Sequence, residues 1–401
     1  MQIVSFFIIL IMFYKKQHTA LYAAFDVFPT HKGSSTHIQY FSKQLFEFMG
    51  DLALFTLADQ TLPVYDSDFE GSLEIYRFKF LFDNYLERAL AFGNILQKVL
   101  LTQNQLKIAH FRDPWSGYPI LNTQYPDCKT LYEVNAFYSI ELLHLYANIH
   151  FDTLKKIYDI EQYCLENADS IIVVSELLKQ NVLKRGIPEH KVFLIPNGYD
   201  VELTKQVIKQ EEEVPYLLYF GALQPWQGLD ILLRAIPYIQ IQKFRLKIIA
   251  SQRKKNIKFY EKLSEKLNIS DKIDWYFELE QKELFCYIQG AFAVIAPLID
   301  CSRNSEQGCC PFKIIESMGN GALIIASDLP STREWITHKV TGLLCRSNRP
   351  IELARTIQWA FENPLEVEKI KNHAKSFAIE NFTWDKQLCK LKNVYQKTLK
   401  Y

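Results

Sequence analysis

Short apolar runs alternate along this chain with longer stretches in which apolar residues recur every three or four positions. That is the pattern of parallel strands buried on both faces, each followed by a covering helix. In the first half the spacing predicts strands over Ala20–Phe25, Leu52–Leu57, Glu74–Phe78, Lys107–Phe111, Leu131–Val134, Ser170–Val174 and Val192–Ile195. Helical periodicity lies between them, notably over Tyr85–Leu101 and Ser139–Asn167, with Ser139 read as a helix cap. The second half predicts strands over Tyr216–Phe220, Leu246–Ala250, Ile273–Phe277, Ala293–Pro297, Ala322–Ala326 and Gly342–Cys345. The expected class is α/β, two doubly wound Rossmann-like domains facing one another across a cleft.

A polar stretch over 199–214, with Glu211, Glu212 and Glu213 in succession, interrupts the apolar pattern and reads as a linker. It divides an amino-terminal domain over 15–198 from a carboxyl-terminal domain over 215–383, and a last helix over 384–401 is expected to cross back to the first. Ahead of the first strand, Ile3 to Tyr14 is apolar except for Ser5, and it is too short to span a bilayer. Its charges, Lys15 and Lys16, follow the apolar run, whereas a signal peptide carries them before it. Residues 1–14 therefore read as an appendage dispensable for folding, with peripheral membrane contact as one use for it.

A length of 401 residues fits two domains, and 48% hydrophobic content excludes whole-chain disorder. Lysines and arginines number 46 against 45 acidic residues, so no global field exists to hold nucleic acid. The eight cysteines are scattered without a CxxC, which suggests neither a zinc site nor a disulfide framework. A cytoplasmic setting follows, at most peripheral to the inner membrane face.

Ligands of doubly wound sheets bind beyond the carboxyl ends of the strands, so candidate chemistry is sought in those loops. After the first strand, Gly33 and Ser34 offer a place where backbone can approach a phosphate or a sugar. His110, Arg112 and Asp113 crowd one strand end, and Glu133 and Asn135 another, as acceptor-side candidates. The strongest stretch runs from Cys301 to Gly321. There Pro311 suits a helix start, and free N–H groups around Cys309, Cys310 and Phe312 would face an anion. Glu316 follows within reach of a ribose when phosphates sit at that helix start, and Lys313 and Arg303 add charge. No GxGxxG follows the first strand and no GxxxxGK[ST] occurs, which disfavours dinucleotide and P-loop readings.

Five segments in this order resemble retaining glycosyltransferases of family 4. They are Phe28-Pro29 with Gly33-Ser34-Ser35, Val174-Ser175 with Ile195-Pro196-Asn197-Gly198-Tyr199-Asp200, Phe220-Gly221-Ala222-Leu223, Gln227-Gly228-Leu229-Asp230, and Pro311 through Gly321. The resemblance implies a GT-B fold, a nucleotide-sugar donor held by the second domain, and a saccharide or lipid-linked acceptor on the first. It implies transfer with retention and no metal, the leaving phosphate taking the acceptor's proton. By the same resemblance Glu316 binds the donor ribose, Gly33, Ser34 and Gly221 lie by the donor, and His110 lies near the donor sugar. With Arg303 and Lys313, His110 completes the expected catalytic set.

Three positions depart from the family pattern. Its first motif glutamate falls at Gly308, with Glu306 two positions away, and its usual Arg and Lys fall at Ala222 and Gln227. Compensating charge would come from Arg303, Lys313, Arg112 or the Arg253-Lys254-Lys255 cluster. These departures leave a non-catalytic nucleotide-sugar binder and a nucleotide-sugar epimerase as alternatives.

Overall fold

The computed structural model describes residues 11–59, 61–68, 73–79, 82, 84–123, 125, 127–146, 148–208, 212–251 and 257–400. The chain divides into two compact units. One holds the described residues through Thr30, then Ser34–Ile195 and the chain from Leu388; the other holds His31–Gly33 and Pro196–Gln387.

Unit one is built on an eight-stranded sheet. Its strands are β1 (Ala20–Val27), β2 (Leu52–Ala58), β3 (Tyr65–Asp68), β4 (Leu73–Lys79), β5 (Ile108–Phe111), β6 (Lys129–Val134), β7 (Ser170–Val173) and β8 (Val192–Leu194). Their order is β3-β4-β2-β1-β5-β6-β7-β8, all parallel except β3, which pairs antiparallel with β4. β2, Leu-Ala-Leu-Phe-Thr-Leu-Ala, is buried at every position, as a strand covered on both faces must be. From β1 the sheet grows through β2 to the β4–β3 pair on one side and then, from β5 to β8, on the other. The loops after β1 and β5 therefore flank the point where the order reverses, the usual ligand position in such a sheet.

Unit two repeats the plan with six parallel strands: β9 (Tyr216–Gly221), β10 (Arg245–Ala250), β11 (Ile273–Phe277), β12 (Ala293–Ala296), β13 (Leu323–Asp328) and β14 (Leu343–Arg346). Their order, β11-β10-β9-β12-β13-β14, reverses between β9 and β12. One apolar core joins Leu217, Tyr219, Ile248, Ile295 and Ile325 of the sheet to Leu232, Leu353 and Ile357 of covering helices.

All thirteen predicted strands form. The pattern does not reveal β3, whose Tyr-Asp-Ser-Asp has no apolar run because an antiparallel edge strand need not be buried on both faces. The helix expected over Ser139–Asn167 is two helices, Tyr138–Leu145 and Phe151–Asn167. Ser139 does not cap the first. Its N–H and hydroxyl donate instead to Glu161, at 3.0 and 2.6 Å, and Phe137 takes the cap position without a side-chain bond.

The last helix, Trp384–Lys400, starts in unit two and from Leu388 belongs to unit one. Leu391 and Val394 are buried there, and the Thr398 and Ser170 hydroxyls are hydrogen-bonded at 2.8 Å. The Tyr395 hydroxyl lies 2.9 Å from His110 Nδ1, which ties this helix to the end of β5.

The amino-terminal segment corrects the appendage reading. Residues 1–10 lie outside the described residues, but 11–15 are helical and Phe13 is buried to 1% exposure. Its ring sits 3.9 Å from that of Tyr76, and its carbonyl accepts a 2.8 Å hydrogen bond from Gln103. Ile11 and Tyr14 beside it stay exposed, and of residues 11–14 only Phe13 is fully buried. Truncating a buried phenylalanine leaves a cavity as well as lost apolar burial. Phe13→Ala is expected to destabilise unit one by about 3 kcal/mol, seen as a shift of the urea midpoint; an unchanged midpoint would return the segment to an appendage.

Candidate functional site

In unit one His110, Arg112 and Asn135, three of the residues singled out from sequence, converge on a fourth, the buried carboxylate of Glu133. Glu133, near the end of β6, has no exposure. It accepts from Arg112 Nε at 3.0 Å and Tyr22 Oη at 2.8 Å, faces His37 Nε2 at 2.9 Å and His110 Nε2 at 3.4 Å, and receives the Asn135 amide. Burial would raise its pKa, but His37, His110 and Arg112 together hold the carboxyl well below the ordinary range. Arg112 also pairs with Asp26 at 2.9 Å, beyond the buried run of β1.

The geometry gives three of the expected site residues structural partners. His110 is fully buried, its Nδ1 on the Tyr395 hydroxyl and its Nε2 facing Glu133, and burial lowers its pKa. Asp113 is the cap of the helix Pro114–Asn122, accepting from Ser116 N at 2.8 Å and Phe25 N at 2.6 Å. Burial raises its pKa to about 6 despite those bonds. Glu133 holds loops together from within the core. Arg112 and Asn135, partly exposed, remain at the rim of the network, and Gly33 and Ser34 open the helix Gly33–Met49.

In unit two the loops after β9 and β12 meet, as the strand order requires. The Trp226 carbonyl accepts from Ile299 N at 3.0 Å and from Asn304 Nδ2 at 2.9 Å. Gly228 permits the approach: its φ is +68°, and a Cβ there would stand 1.9 Å from the Pro297 carbonyl oxygen. Gly221, at φ +113°, ends β9 with open space where its side chain would be.

The helix Phe312–Gly319 begins after the cap Pro311, so its first N–H groups have no acceptor within the helix. Cys310 is buried, its carbonyl accepting from Asn197 Nδ2 at 2.6 Å and its thiol from Asn197 N at 3.3 Å. Cys309, partly exposed, gives its carbonyl to Trp335 Nε1 at 3.1 Å. The Cys310 side chain thus packs the loop, and both cysteine carbonyls are taken by partners within the unit.

Lys313 and Glu316, one turn apart on this helix, are 6% and 5% exposed. Neither has a salt bridge among the described residues. The Lys313 ammonium lies 3.8 Å from the centre of the Tyr219 ring and donates to Gln227 Oε1 at 3.4 Å. Burial pulls its pKa down to about 7 and pushes that of Glu316 up to about 8. Arg303 opens a short π-helical turn, Arg303–Gln307, and stacks its guanidinium 5.0 Å from the Trp226 ring. Glu306 in the same turn is exposed.

The structure therefore groups Gly221, Gln227, Arg303, Lys313 and Glu316 within unit two, and sorts the sources of compensating charge. Arg112 is engaged by two carboxylates, residues 253–255 lie outside the described residues, and Lys313 is the buried cation with no salt bridge. Gln281 and Tyr219 were not visible in the sequence, for no motif marks them; each is recognisable only once Glu316 and Lys313 are placed.

Family comparison agrees with this geometry. Residues 31–203 match Glycosyltransferase Family 4, and residues 200–377 match Glycosyl transferases group 1. An uncharacterized glycosyltransferase of Methanocaldococcus jannaschii is 23% identical over 358 residues, 84% of this chain and 87% of that protein. Lipopolysaccharide 1,2-N-acetylglucosaminetransferase of Salmonella typhimurium is 24% identical over 243 residues, 55% of this chain and 60% of that protein. Among solved structures, sucrose-phosphate synthase from Thermosynechococcus elongatus superposes with TM-score 0.77 at 18% identity, over 95% of this chain and 99% of that one. HepE of Anabaena, solved with UDP-glucose, gives 0.72 at 12% identity, over 95% and 100%. With two Rossmann-like sheets and both family regions in sequence, the chain belongs to the GT-B glycosyltransferases of the family 4 type and is an enzyme of that class.

Proposed function

We propose that this enzyme transfers a sugar from a nucleoside-diphosphate donor to a saccharide or lipid-linked acceptor, with retention and without a metal ion, in cell-surface polysaccharide or glycolipid synthesis. The observation that carries the donor half is the buried, salt-bridge-free Lys313 beside the opening N–H groups of its helix. A buried ammonium is costly unless an anion completes it, and a diphosphate is such an anion. The bound UDP-glucose of HepE supports a nucleotide sugar, and the Salmonella relative's name supports a lipid-borne saccharide acceptor. Work at the cytoplasmic face of a membrane suits that acceptor; among the described residues no helix is long and apolar enough to cross one.

As the sugar leaves, negative charge grows on the departing phosphate oxygen, and fixed donors at that oxygen lower the barrier most. Lys313 and the helix start supply those donors, taking over from the basic residues absent at Ala222 and Gln227, while Gln227 orients the ammonium. Arg303, held over Trp226, is the second cation of the set. Glu316 takes the ribose hydroxyls. His110, through Glu133 and Arg112, keeps the unit-one loops in place; Arg112 and Asn135 are assigned to the acceptor and Gly33 and Ser34 to the donor.

Incubation with a panel of nucleotide sugars and acceptors, read by NMR of the new anomeric centre, is expected to show retained configuration and full activity in EDTA. An inverted product, turnover without any acceptor, or activity restored only by Mn²⁺ would contradict this reading.

Lys313→Met should lower turnover by about 100-fold or more, the range for removing one donor at a developing oxyanion. The unliganded variant should melt no lower than the parent, since an unpaired buried charge has been replaced by an apolar side chain of similar length. Because the free lysine titrates near 7, the affinity lost for a nucleoside diphosphate should be largest below that pH and shrink as pH rises above it. A loss independent of pH would remove Lys313 from the diphosphate site.

A further inference from the structure

The helix Gln281–Gly290 follows β11 and is tied at both ends to the helix that carries Glu316. At its start, Gln281 Nε2 donates to Glu316 Oε1 at 3.2 Å. Near its end, Gln289 Nε2 donates to Asn320 Oδ1 at 3.2 Å, and Asn320 Nδ2 in turn donates to the Glu316 carbonyl at 2.9 Å. Glu316 is 5% exposed on a helix whose described residues from Lys313 to Gly319 are all buried. Gln281 is thus the side chain hydrogen-bonded to a carboxyl that is otherwise desolvated by burial.

The chemistry of that partner matters. A lysine or arginine in its place would neutralise Glu316 and compete for both oxygens, while an apolar side chain would leave the carboxyl free to rotate. A neutral amide donor engages one oxygen, adds no charge, and leaves the lone pairs of Oε2 for other donors. Two vicinal hydroxyls of a ribose are donors of the right kind and spacing for a carboxylate held in one orientation.

We infer that Gln281 is a positioning residue for nucleotide recognition, fixing one oxygen of Glu316 so that the carboxylate is presented to the ribose hydroxyls and the site discriminates ribose from deoxyribose. The inference rests on the donor-site reading above. Gln281 is itself half-buried at a helix start, so replacing it disturbs no core.

The test measures calorimetric affinities of the wild-type enzyme for UDP, GDP, ADP and CDP, and then for the 2′-deoxy form of whichever binds most tightly. Wild type is expected to favour the ribonucleotide by at least about tenfold, the low end for one hydrogen bond to a charged group. Gln281→Leu should weaken the ribonucleotide about five- to tenfold and the deoxynucleotide less than twofold, so that the preference collapses. Gln281→Asn, which keeps the amide but shortens its reach, should behave the same way. On a Glu316→Ala background, Gln281→Leu should cause no further loss.

Equal weakening of both nucleotides would mark Gln281 as merely structural, and unchanged preference would show it idle; either overturns the inference alone. Wild type binding one of the four without ribose preference would remove Glu316 from the ribose and the inference with it. Binding none of the four would overturn the donor-site reading itself.

Discussion

A lysine and a glutamate buried one turn apart, with no salt bridge to satisfy either, set the terms for unit two. Folding the helix Phe312–Gly319 against its sheet takes both charges out of water, and the pKa values of Lys313 and Glu316 move toward neutrality in response. A Tyr219 ring face, a Gln227 carbonyl oxygen and a Gln281 amide offset part of that cost, and none of them carries charge. What the surroundings decline to neutralise, a ligand bearing negative charge and hydroxyl groups can. The loops that create this environment meet because the strand order reverses between β9 and β12, and because Gly228 lets backbone pass against Pro297.

Unit one solves the same problem the other way. Glu133 is as deeply buried as Glu316, yet it is surrounded by Arg112, His37, His110, Tyr22 and Asn135, and stays ionised. A carboxylate so fully met has little left for a substrate, but it pins the ends of β5 and β6, and through His110 and Tyr395 it holds the last helix. Its contribution to stability is present at neutral pH and is lost only as pH falls toward its depressed pKa. The contrast separates a carboxylate met by charged partners within the fold from a buried pair that, in the proposed function, the donor would complete.

Much of this was legible in the sequence, for identifiable reasons. Parallel strands covered on both faces are continuous apolar runs, so all thirteen were visible, while the polar edge strand Tyr65–Asp68 was not. Lys313 and Glu316 stood out as charges in an apolar stretch after a helix-starting proline. His110 was placed at its strand end correctly, but its occupation by Tyr395 depends on a residue 285 positions away. Asp113 and Ser139 illustrate the same limit at short range: a polar residue in a loop serves as cap, tie or ligand according to what the fold brings opposite it. Phe13 was misjudged because a short apolar run gives no sign of which single side chain finds a core. Gln281, lying 35 positions from Glu316, belongs to no pattern and becomes meaningful only through the contact.

The most direct test of the account follows the titration of Lys313 itself by NMR of its side-chain nitrogen, assigned with Lys313→Met, in the free enzyme and with the tightest-binding nucleoside diphosphate. The account predicts a pKa near 7 in the free protein and a rise of at least about two units when the diphosphate is bound, as an anion within a few ångströms requires. A value unmoved by saturating nucleotide would contradict it, and would place the diphosphate away from this helix.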